Sequence, residues 1–131
     1  MSKLREIPIF ADLDDDALQH IAAVATEFEV PAGHVLVQPG QEGSGMFILQ
    51  EGSVVVELHS GTPMTLGAGE FFGELAILAT GVPRTARVRA STPVRCLAIS
   101  RPEFDRVLAE HPVIAVAMLP VLARRIAHVE I

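Results

Sequence analysis

The stretch Phe71–Val88 reads FFGELAILATGVPRTARV. It sets a carboxylate, Glu74, ten residues before a guanidinium, Arg84, with almost nothing polar between them. Phe71 and Phe72 suit the end of a strand anchored in a core. Gly73 has no side chain to keep a ligand off the backbone. ELAIL is long enough for one short helical turn. Its first amides, near Leu75 and Ala76, would have no intrahelical acceptor and would form an anion site. Arg84 returns on the following loop, where its planar fork suits two oxygens of one phosphate. Pro83 stiffens that approach, Thr85 adds a hydroxyl, and Glu74 can accept from a sugar hydroxyl. Together these describe a pocket for a phosphorylated sugar. Taken alone, the Glu74–Arg84 pair reads equally well as an internal salt bridge closing a turn.

Around this stretch the texture is that of short strands. FEV, HVLV, MFILQ, SVVVEL, MTL, EFF, TARVRA and VRCLAI alternate with PAG, QPGQEGSG, EGS, HSGTP, GAG and STP. Gly33, Gly40, Gly45, Gly52, Gly61 and Gly69 fall where turns need a permissive backbone. Such spacing predicts a sandwich, jelly roll or barrel over about residues 27–99. Arg87 and Arg89 alternate with Val88 and read as a solvated face, or else as a contact to a partner domain.

The flanks read as helices. LDDDALQHIAAVATEF predicts a helix over about 14–26, capped by Asp14, with Asp15 and Asp16 in the first turn and Leu18, Ile21, Ala22 and Ala25 on one face. After the strands, Ser100 and Glu103 match a capping box with Pro102 in the first turn. This predicts C-terminal helices over about 101–129, the first ending near His111. Pro120 is expected to kink or split the last one. The helix 113–129 carries too many apolar residues for one narrow stripe; of ordinary core, a lid over the ligand and contact with a second copy or an effector domain, this favours contact with a partner.

The motifs Phe72-Gly73-Glu74-Leu75-Ala76 and Pro83-Arg84-Thr85-Ala86 resemble the phosphate-binding cassette of cyclic nucleotide-binding domains. VPAGHVLVQPGQEGSGMFILQEGSVVV resembles the family's first strands, and LARRIAHV resembles the long helix that follows the roll in the catabolite activator group. The resemblance covers roughly the whole chain as one domain, 1–131. It implies a mainly β fold: an eight-stranded antiparallel β-roll, or jelly roll, with an N-terminal helix, a short cassette helix and C-terminal helices. It also implies that Arg84 pairs with the cyclic phosphate and that Glu74 accepts from the ribose 2′-hydroxyl. Gly73 would lie against the ribose, and the amides of Ala76 and Thr85 would donate to phosphate oxygens. Val56 and Leu66 would line the base side. Thr85 at this place admits either base; the expectation is cAMP over cGMP, with cGMP a real competitor. The expected function is a cyclic-nucleotide sensor that signals through its flanking helices to an effector outside this chain. The alternative is a roll that kept its shape as an interaction scaffold and lost its ligand.

Composition sets the outer limits. The chain has 131 residues, 50% of them hydrophobic, with neither Trp nor Tyr, so Phe, Val, Leu and Ile supply the core. A net charge of −6 argues against nucleic-acid binding by this chain. Three residues follow His128, so a helix-turn-helix after the long helix is not expected. Cys96, the single cysteine, excludes an internal disulfide and reads as a buried structural thiol. MSKLREIPIF lacks a signal-peptide run, and VIAVAML is too short to span a bilayer, so a cytoplasmic protein with no membrane span is expected. The five histidines show no metal-ligand spacing, and the His-x-His cluster of cupins is missing, so no metal is expected. With no nucleophile elbow and no carboxylate pair in the cassette, no catalysis is expected either.

Overall fold

The eight apolar runs become eight strands, and among the described residues Gly33, Gly52 and Gly69 turn the chain between them at φ of about 90°. The structure, a computed structural model, describes residues 2–38, 45–58, 63–73 and 86–130, with no side-chain detail at 2, 3, 58, 86 and 126–130. In chain order it contains α1 (Ser2–Arg5), a 3-10 turn (Pro8–Phe10), α2 (Asp15–Val24), β1 (Thr26–Val30), β2 (Val35–Val37), β3 (Gly45–Glu51), β4 (Val54–Leu58), β5 (Met64–Leu66), β6 (Phe71–Phe72), β7 (Ala86–Ala90), β8 (Val94–Ser100), α3 (Arg101–Glu110) and α4 (Val113–Glu130). The short cassette helix expected after Gly73 falls outside the described residues.

The strands form two four-stranded antiparallel sheets, ordered β1-β8-β3-β6 and β2-β7-β4-β5. The first sheet is apolar on both faces, so its central strands read as continuous apolar runs rather than alternating ones. On β3, Met46 and Ile48 face the helices while Phe47 and Leu49 face the second sheet. On β8, Leu97 and Ile99 face the helices while Val94 and Cys96 point between the sheets. The second sheet covers one face only: Val54, Val56, Leu66, Val88 and Ala90 point inward, whereas Arg87 and Arg89 are exposed. Arg89 donates to Glu57 Oε2 at 2.8 Å and Arg87 to Gln38 Oε1 at 3.3 Å, the solvated face that their alternation suggests.

The helical layer departs from expectation in several places. The segment Leu4–Leu13, not assigned a structure from sequence, contributes Leu4, Ile7, Ile9, Phe10 and Leu13 to the core outside the first sheet. Asp14 does cap α2, accepting from the Ala17 amide at 2.9 Å. The buried face of α2 is Ala17, Leu18 and Ile21; Ala22 is exposed, because the 100° step per residue carries it off the stripe. The helix also stops at Val24, since Thr26 already pairs with Ala98. Ser100 is the N-cap of α3 but makes no side-chain cap bond, and Glu103 instead pairs with Arg106 at 2.8 Å, so the capping box is not formed. Pro120 does not split α4, which runs from Val113 to Glu130. The bond it forfeits would have used the Val116 carbonyl, and Val116 is exposed, so water can take its place. Gly45 opens β3 opposite Ser100 rather than making a turn, and Gly40 and Gly61 fall outside the described residues.

Gly52 is where glycine is needed most: φ is 90°, and a Cβ would run into the Pro93 carbonyl oxygen and the Val94 side chain. Gly52→Ala should therefore destabilise the fold by about 2 kcal/mol or more, read as a lower urea midpoint at unchanged slope. Cys96 is fully buried and burial pushes its thiol up to about 11 from 9.0. The native fold thus holds that proton more tightly than the unfolded chain does, and stability should decline as pH rises from 9 towards 11. At neutral pH a thiol reagent should modify Cys96 only after denaturant is added; prompt stoichiometric labelling of the native protein would contradict this.

Candidate functional site

In chain order the cassette connects a strand of one sheet to a strand of the other. Its leading end is β6, at the edge of the first sheet, where Phe72 pairs with Phe47 and Phe71 with Ile48. Its trailing end is Ala86, the first residue of β7, which pairs with Leu58 inside the second sheet. Glu74, Leu75, Ala76, Arg84 and Thr85 lie outside the described residues, so their expected roles rest on the motif. Gly73 is described, and its φ of 90° is one that side-chain-bearing residues rarely adopt. The backbone thus turns where the motif expects close approach of a ligand.

The approach to Gly73 is firmly held. The Leu49 amide donates to the Glu70 carbonyl at 2.8 Å, and the Gly69 amide donates to the Leu49 carbonyl at 2.8 Å. Glu70 Oε2 accepts from the Gly67 amide at 2.8 Å, closing the turn after β5. Successive strand residues point to opposite faces, so the two phenylalanines enter different cores. Phe72 stacks on Phe47, centroids 5.0 Å apart, and Phe47 meets Phe28 edge-on at 6.0 Å. Phe71 points the other way, into the helical core, and the guanidinium carbon of Arg125 lies 4.6 Å from its ring centroid. This cation–π contact joins α4 to the strand that feeds the cassette. Sequence did not reveal it, because nothing marks Arg125 as different from its neighbour Arg124.

Val56 and Leu66, expected on the base side, occupy the inward faces of β4 and β5 and are 6% and 5% exposed. They share one apolar cluster with Phe72 and Val88, the described residues nearest the two ends of the cassette on that side of the roll. Val56 and Leu66 thus lie in one cluster with Phe72, which precedes Gly73, and with Val88, two residues beyond Ala86. The structure also brings together His20 and His111, 91 residues apart, which looked scattered in sequence.

Against this geometry the comparisons are unambiguous about family. The family model described as cyclic nucleotide-binding domain matches residues 27–111, and the chain belongs to that family. It is 38% identical over 109 residues to a cyclic nucleotide-gated potassium channel of Mesorhizobium japonicum, covering 83% of this chain and 30% of the channel. Among solved structures, cAMP-bound PfPKA-R superimposes with a TM-score of 0.83 at 26% identity, covering 95% of this chain and 43% of that one. The catabolite activator protein of Thermus thermophilus gives 0.76 at 26% identity, covering 92% and 58%. The chain therefore spans less than a third of that channel's length. The family and fold implied by the cassette motif are those found. Among the described residues, no single helix is long and apolar enough to cross a membrane.

The Arg125 contact predicts a local effect. Arg125→Gln should loosen the second half of α4, seen as faster amide exchange there. Protection around Ile114 and Met118, both fully buried, should be unchanged. Uniform loss of protection along α4 would contradict this reading.

Proposed function

We propose that this chain is the sensor domain of a cyclic-nucleotide response, binding cAMP in preference to cGMP and passing the signal through its helices to an effector outside the chain. The observation that carries the proposal is the complete cassette motif, Phe72 to Ala76 and Pro83 to Ala86, strung between β6 and β7 of a cyclic nucleotide-binding roll. In this reading Arg84 forms a charge-assisted pair with the cyclic phosphate, helped by the amides of Ala76 and Thr85. Glu74 accepts from the ribose 2′-hydroxyl and Gly73 lets the sugar approach. The base lies towards Val56 and Leu66, with the Thr85 hydroxyl as the polar contact that discriminates between bases. The domain binds and relays rather than catalyses, and the reading places it in the cytoplasm, which its buried free thiol supports.

The relay needs a ligand that binds the two helix arrangements with different affinity. The strand feeding the cassette touches α4 through Phe71 and Arg125, so movement of the cassette onto a phosphate pulls on that helix. Outward from α4, Val113, Val116 and Leu119 are 40%, 64% and 62% exposed, a stripe at helical spacing suited to an effector or a second copy.

Calorimetric titration of nucleotide-free protein with cAMP and with cGMP tests the proposal. Saturable binding, tighter for cAMP, is the expected result. Arg84→Ala should weaken it by roughly 1.5–3 kcal/mol, about ten- to 150-fold. Binding of neither nucleotide would leave the roll as an interaction scaffold, and an unaffected Arg84→Ala would remove the phosphate assignment.

A further inference from the structure

We propose that His20, Glu110 and His111 form a binding site for a divalent transition-metal ion of the zinc type, clamping α2 to the corner between α3 and α4. The inference is independent of the nucleotide reading. His20 sits on α2, Glu110 is the last residue of α3, and His111 is its C-cap. Folding brings one potential ligand atom from each residue within 4.8 Å of the others. His20 Nδ1 is 3.1 Å from Glu110 Oε2 and 3.4 Å from His111 Nε2. Tetrahedral zinc with bonds of 2.0–2.1 Å places its ligand atoms about 3.3 Å apart, so two of the three spacings already match a metal-centred arrangement.

The hydrogen-bond chemistry favours an ion at the centre. His20 Nδ1 carries at most one proton, and two groups compete for it. If Nδ1 donates, one hydrogen is shared between a carboxylate and an imidazole. If it accepts from His111, its lone pair faces the lone pairs of Glu110. A cation between them satisfies all three at once. Two imidazoles and one carboxylate form a donor set suited to zinc, leaving a fourth position for water. The ion has access: the His20 side chain is 24% exposed and that of Glu110 is 55% exposed. His111 also lines an open cleft of about 230 Å³ beside Asp12 and Asp14, whose carboxylates draw cations towards it.

The placement gives binding a mechanical consequence. The corner is held by the Ile114 amide donating to the His111 carbonyl at 3.0 Å and the Val116 amide donating to the Pro112 carbonyl at 3.2 Å. An ion on His111 and Glu110 ties this corner to α2, which is anchored in the core by Leu18 and Ile21.

The test titrates the full chain, stripped with a chelator, with zinc chloride by calorimetry and with cobalt(II) chloride by visible absorption. One equivalent should bind, and the cobalt bands should have the intensity of a four- or five-coordinate site. His20→Ala, His111→Ala and Glu110→Gln should each weaken zinc by about tenfold or more, while His34→Ala, outside the cluster, should not. Glu110→Gln alters a half-exposed side chain and keeps its shape, so it decides the matter even if a histidine variant folds poorly. Absence of saturable binding below ~1 mM zinc, or binding indifferent to Glu110→Gln, overturns the proposal.

Discussion

Two adjacent phenylalanines set the position of everything around the candidate site. Side chains alternate across a strand, so Phe71 and Phe72 must enter opposite cores, and they are 2% and 3% exposed there. Burying each is worth roughly 1.5–3 kcal/mol. A slip of one residue in either direction would put Glu70 or Gly73 where an aromatic ring belongs, so the register of this two-residue strand is strongly specified. Gly73 then turns the chain at a φ of 90°, and the cassette departs from a fixed point.

That fixed point lies on a wall shared by two cores. Between the sheets, β3, β6 and β8 pack against the second sheet; on their other face they carry α2, α3 and α4. The cassette leaves from the first sheet and rejoins the second at Ala86, so the two ends of the proposed ligand site belong to different layers. The helices pack on the outer face of the wall in a cluster separate from the inter-sheet core, which is the arrangement the proposed relay would use. In the proposed relay, Phe71 under Arg125 is the contact that would link the strand feeding the cassette to the helices.

The strands were legible because their code is local. β-branched and aromatic runs ended by glycine specify β structure with little help from the rest of the chain, and each of the eight runs became a strand. The helical layer was less legible, because its details depend on tertiary competition. Glu103 matched a capping box yet found Arg106, and Pro120 looked like a break yet sits where an exposed carbonyl can turn to water. IPIF has no periodicity of its own and is ordered by the core it fills. Family and ligand class were legible from the cassette motif, since charge, glycine and proline stand there at spacings that ordinary core does not need. His20 with His111 was not legible, because 91 residues separate them and only the closed fold puts α2 beside the end of α3.

The two proposed sites address the same helix from opposite ends. The corner at His111 and Pro112 precedes the first turn of α4, whereas Arg125 meets Phe71 some three turns later. Between them, Ile114 and Met118 fix the helix to the core, and Pro120 lacks the amide that would bond back to Val116. In the proposed relay, a pull at one end would turn this helix about Ile114 and Met118, and Pro120, with one backbone bond fewer, would be the weakest point along it. If both proposals hold, an ion that stiffens the corner would change the cost of that movement, and the nucleotide would have to supply the difference. Linkage then makes the effect reciprocal: if zinc at the corner weakens nucleotide binding by some factor, nucleotide weakens zinc by the same factor. Two ligands that never touch would be coupled through the one element both displace.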